Sequence, residues 1–171
     1  MRSIPIKKIT FAAVLTAIAL TIFIIEARIP ALLPIPGIKL GLSNIVTLFA
    51  LYALGPAMAL YVLVCRVVLG ALVTGQPMAI LYSLSGGLAA LGFSTLMYRK
   101  FPPNQVWVLS VLAAVLHNLG QIAVAILITH TAGLVMYIPV LIVSGIVAGA
   151  FTGVAAQALL HKLTQNGLMK P

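Results

Sequence analysis

Four polar side chains stand inside long apolar stretches, where their chemistry is costly and therefore informative. Arg66 lies near the middle of the stretch 57–74, and His117, Asn118 and Gln121 lie within the stretch 106–128. An arginine at the centre of a bilayer costs about 2.5–3.5 kcal/mol even on lenient insertion scales, so Arg66 is expected to face the protein interior. Its guanidinium could grip an anionic ligand, or it could be held by carbonyl oxygens, water or Glu26. The spacings 117–121 and 118–121 put the second group on one helix face. These three could hydrogen-bond a ligand, or they could bind helices to one another. A rise of about 1.5 Å per residue places Arg66 and His117 at similar depth, so both could line one central cavity. Glu26, Arg28, Lys39 and Asn44 fall near one rim, with Gln76 and His130 at other helix ends on the same side. Lys39 there can simply extend its ammonium to water.

The same inventory excludes much. Glu26 is the sole carboxylate of the chain. Carboxylate pairs for glycoside or aspartic-protease chemistry are impossible, and so is a multi-carboxylate magnesium site. No glycine-rich phosphate loop with its lysine is present. His117, His130 and His161 are too scattered for a zinc site, and no carboxylate stands ready to orient one of them for triad chemistry. Cys65 is alone, so a disulfide framework or thiolate cluster within the chain is excluded. No metal and no cofactor is expected.

The elements that carry these residues are membrane spans. Of the 171 residues 63% are hydrophobic and only 6% charged, with a mean hydropathy of +1.22. A soluble domain needs roughly 25% charged residues. Spans are expected at 9–25, 40–54, 57–74, 78–98, 106–128 and 135–160: a single all-α domain of six transmembrane helices. The first stretch lacks a small-residue cleavage site and reads as a retained span. Residues 26–39, EARIPALLPIPGIK, are too rich in proline for a helix and too apolar for an ordinary solvated loop. They read as a structured loop over one end of the bundle, a plausible lid bending at Gly37.

Six spans put both termini on one side. Arg2, Lys7, Lys8, Arg99, Lys100, Lys162 and Lys170 then share that side, against Arg28 and Lys39 opposite. By the positive-inside rule the termini are cytoplasmic and the proline-rich loop faces outward, in a multi-pass protein of the cell membrane. Two small-residue stripes remain. Ala13 and Ala17 lie four apart in the first span, and Gly145, Gly149 and Gly153 recur every fourth residue in the last. Either stripe lets a helix approach closely, within the bundle or from a partner.

The stretch EARIPALLPIPGIKLGLSNIVTLFALYALGP, residues 26–56, and CRVVLGALVTG, residues 65–75, resemble the family labelled heptaprenyl diphosphate synthase component I, or Gx transporter. That family is grouped with the substrate-binding S components of energy-coupling factor (ECF) transporters. The resemblance implies a six-helix S component that binds a micronutrient from outside. Such a component docks on a transmembrane coupling protein driven by two ATPases and topples to release its cargo. It implies docking through Ala13 and Ala17, gating by the loop 26–39, and a solute site in the outer half of the bundle. Candidate contributors to that site are Arg66, His117, Asn118, Gln121, Asn44 and Glu26. The synthase label meets a chemical obstacle. Prenyl diphosphate synthases of the usual type hold magnesium through aspartate-rich motifs, and this chain has no aspartate. A non-catalytic accessory subunit in polyprenyl or quinone metabolism is the second reading. A pore is the third, with little in the spans to line one.

Overall fold

The computed structural model describes residues 6–28 and 41–166. Most of the proline-rich loop, including Lys39 and Gly37, lies outside the described residues. Six α-helices run through those residues: α1 Ile6–Glu26, α2 Asn44–Leu54, α3 Pro56–Thr74, α4 Met78–Met97, α5 Val106–Thr129 and α6 Ile138–Gln165. Five of them are long and apolar enough to cross a membrane. The protein is a multi-pass, all-helical membrane protein. The helix α2, with 11 residues, reaches only about 16 Å.

Local chemistry sets the breaks. Gly55 adopts φ +92° between α2 and α3, and Pro56 opens α3 at a position where no N–H is needed. Gly75, at φ +66°, closes α3 in the left-handed conformation. His130 does the same for α5 at φ 52°. A 3-10 turn at Pro103–Gln105 leads into α5, and another at Ala132–Tyr137 leads into α6.

Glycines set the packing. An added Cβ at Gly145, Gly149 or Gly153 would lie 3.1, 2.7 or 2.6 Å from the Cα of Val115, Val111 or Trp107, respectively. The falling partner numbers make α5 and α6 antiparallel, pressed backbone to backbone. Of the two open readings of this stripe, internal packing is what the geometry shows. Gly86 and Gly120 do the same for α4 and α5, where the Ser85 hydroxyl also donates to the Gly120 carbonyl at 3.2 Å. Gly70 makes room for the Phe23 ring between α1 and α3.

The interior has two apolar clusters. The larger, around Leu51, Val62, Leu63, Val67, Val106, Leu109 and Leu160, fills the end that holds both termini. The smaller, Tyr82, Ile122, Ala125 and Leu141, lies toward the opposite end. Large apolar side chains such as Leu72, Leu96 and Phe151 point outward, as lipid contact requires.

Candidate functional site

Between the two apolar clusters lies a polar belt. It starts at the last residue of α1. Glu26 is buried, and its Oε1 accepts the Gly41 N–H at 2.5 Å. That bond closes the connection between α1 and α2 at its root. Gly41 has φ +77°, which only glycine adopts cheaply. Three turn bonds follow: Asn44 N–H to Gly41, Ile45 N–H to Leu42 and Val46 N–H to Ser43. They wind the chain into α2 and aim the side chains of Ser43 and Asn44 at α3.

Arg66 receives them. It is 2% exposed. Its Nη1 donates to the Ser43 hydroxyl, and its Nη2 donates to Asn44 Oδ1 at 2.5 Å. Glu26 lies within Coulombic reach and supplies the opposite charge. Two of the options open from sequence, Glu26 and neutral oxygens, are therefore both in use.

The belt continues onto α5. A Cβ at Gly41 would fall 2.8 Å from Asn44 Nδ2 and 3.0 Å from the His117 ring, so this one glycine joins Asn44 to His117. A Cβ at Gly86 would fall 2.6 Å from the His117 carbonyl oxygen, 2.7 Å from Gln121 Cγ and 2.9 Å from His117 Nδ1. His117 and Gln121 thus share the space that Gly86 leaves on α4. His117 Nδ1 faces the Gly86 backbone without a well-aligned hydrogen bond. Gln121 is 0% exposed, and neither end of its amide has a partner among the described residues. A buried polar group without a partner costs about 1–3 kcal/mol.

Asn118 turns another way. Its amide donates to the Leu141 carbonyl at 2.8 Å and to the Ser144 hydroxyl at 3.3 Å, joining α5 to α6. Its Oδ1 has no partner among the described residues. The structure therefore groups Glu26, Asn44, Arg66, His117 and Gln121, and sets Asn118 one helix face away. Arg28, Gln76 and His130 are exposed. Sequence reasoning did not single out Gly41, Ser43 or Gly86, whose parts appear only when three helices meet.

Beneath Gly41 and Asn44 a cavity of about 30 Å³ runs between α2, α4, α5 and α6. Its polar lining is Thr47, Ser94, Ser110 and Thr152, and its apolar lining includes Gly87, Ala90, Ala113 and Ala148. The Thr47 hydroxyl has no partner among the described residues, while Ser110 and Thr152 pair at 3.1 Å. That volume exceeds the roughly 10–15 Å³ that one water molecule needs. On the outer surface of α1, Ala13 and Ala17 are both exposed, with Ala12, Leu15 and Ala19 facing inward.

The sequence matches the family described as heptaprenyl diphosphate synthase component I over residues 15–159. Among solved structures the chain is similar to one described as the S component of a bacterial ECF transporter. The identity is 21%, the TM-score 0.73, and the match covers 96% of this chain and 98% of that one. No curated protein matches it.

Proposed function

We propose a transport function for this chain, which belongs to the heptaprenyl diphosphate synthase component I family. It is the substrate-binding S component of an ECF-type ABC transporter, a non-enzymatic subunit of the cell membrane that takes up a small micronutrient-like solute. The observation that carries this reading is the polar belt of buried Arg66, His117 and Gln121 with half-buried Asn44, inside a fold that matches an S component end to end. Polar groups at that depth are expensive and are characteristic of solute pathways. Glu26 completes the site at its edge, while Asn118 lies one helix face away and joins α5 to α6. The termini are cytoplasmic.

Its partners are a transmembrane coupling protein and two ATPases. The docking surface is the stripe of Ala13 and Ala17. Two exposed alanines a turn apart form a shallow trough into which a partner helix can press its backbone. Gentle-detergent affinity purification from the native host tests this. The coupling protein and both ATPases should accompany the wild type and be lost with Ala13→Leu/Ala17→Leu. The family description favours a second reading, an accessory subunit in polyprenyl metabolism. Recovery of a soluble prenyl synthase without a coupling protein would establish that reading and end the transport proposal.

A further inference from the structure

Asn118 and Gln121 are both buried amides of α5, and their surroundings differ in kind. Asn118 does what interhelical amides commonly do: it donates to a backbone carbonyl of the next helix. Gln121 does not. It is completely buried, and among the described residues both its Nε2 and its Oε1 lack a partner. It is not there for want of a smaller filler, because α4 has given up a side chain at Gly86 to admit it beside His117. A buried amide with two idle ends, in a groove shaped to hold it, is suited to a partner that arrives from outside the chain.

The charged member of the belt is already engaged. Arg66 spends Nη1 on Ser43 and Nη2 on Asn44, and Glu26 balances its charge. Nε–H and one N–H on each Nη remain, so donors are not lacking; what is already settled is the charge, which Glu26 offsets. An anion would bring a second negative charge to an arginine that Glu26 already balances. A neutral solute leaves that balance as it is.

We propose that Gln121 is the specificity-determining residue of the solute site, and that the solute is neutral. It presents a hydrogen-bond acceptor and a donor side by side, as amides, lactams and pyrimidine-type ring edges do. The acceptor takes Gln121 Nε2–H, the donor reaches Oε1, and His117 borders the same edge. This rests on the binding reading above and names the chemistry of that site.

The test uses the full chain, purified in detergent, immobilised, and exposed to a defined library of small water-soluble metabolites. The library comprises four sets: neutral amides and lactams, carboxylates, phosphates, and amines. Retained compounds are read by mass spectrometry for the wild type, Gln121→Met and Gln121→Glu, and melting temperatures are read in parallel. The wild type should retain members of the amide and lactam set. Gln121→Met should retain them at least tenfold less while melting at the same temperature or higher, since it removes two unpaired polar atoms and keeps the shape. Gln121→Glu keeps the outline but loses the donor, and should lose the same compounds. A wild type that holds carboxylates or phosphates instead overturns the proposal and leaves the binding reading standing. Unchanged retention by Gln121→Met overturns it too, and so does a melting temperature lowered in that variant. A folded wild type that retains nothing removes the binding reading and the proposal together.

Discussion

Replacing Arg66 with methionine should destabilise the protein through α2 rather than through α3, where the residue resides. The guanidinium makes two charge-assisted hydrogen bonds, to Ser43 and Asn44. Each is worth about 1.5–3 kcal/mol. Methionine fills much of the volume but returns neither bond, and it removes the positive charge that Arg66 sets against Glu26. Breaking one side of such an arrangement costs about 3–5 kcal/mol. In a chain of this size each kcal/mol moves the melting temperature by about 2–4 °C, so Arg66→Met should melt about 6–20 °C lower. Glu26→Gln in the same background should recover part of that loss, because an uncharged amide forgoes less than a carboxylate when the Arg66 charge is gone. Cys65, the free cysteine, gives the assay: a thiol-reactive dye reports its exposure as the bundle opens on heating. The reasoning is refuted if Arg66→Met melts within about 2 °C of the wild type. It is equally refuted if the Arg66→Met and Glu26→Gln effects simply add, since interacting residues should show about 0.5–3 kcal/mol of coupling.

Two further predictions concern packing and cavity size. Gly149→Ala forces a Cβ to within 2.7 Å of the Val111 Cα, so it should destabilise by about 1–3 kcal/mol; Gly92→Ala, with nothing within 4 Å, should melt unchanged or higher, and equal behaviour of the two variants would refute the packing argument. Ala113→Val adds bulk to the wall of the cavity beneath Asn44; it should cost less than about 1.5 kcal/mol in melting experiments but reduce solute retention, and full retention would show that the cavity is not the floor of the site.

The architecture was legible because hydropathy and sparse charge leave a 63%-hydrophobic chain few alternatives. The depth of Arg66 and His117 was legible too, because a helix advances by a fixed rise. What stayed hidden depends on where neighbours stand. His117, Asn118 and Gln121 read as one polar face. Yet α5 packs between α4 and α6, and the roughly 100° step from one residue to the next sends His117 to Gly86 and Asn118 to Leu141. The stretch 40–54 read as a continuous span. Its helix starts only at Asn44, because Gly41 turns back to cover Glu26 and the next residues form turn bonds. Glu26 itself read as a rim residue, and no local pattern shows that an N–H 15 positions later will bury it. Ser43 carried no signal at all; its hydroxyl matters only because α3 brings Arg66 alongside.

The position of the belt follows from how the bundle is assembled. The helices α4, α5 and α6 are drawn together by glycines along their shared faces. On the other side α1, α2 and α3 form a second group, with Phe23 seated over Gly70 and α2 folded back on α3 at Gly55. Glycine-lined faces let the backbones of α4, α5 and α6 meet. Polar side chains long enough to reach across belong at the seam, and the belt is there. Glu26, Ser43, Asn44 and Arg66 come from one group, and His117 and Gln121 from the other. Gly41 is the point of contact, with Asn44 on one side and the His117 ring on the other. A solute held by Gln121 beside His117 would lie next to that contact. Its binding energy would bear on how the two groups sit together, which is the coupling a carrier needs between an occupied site and a change of shape.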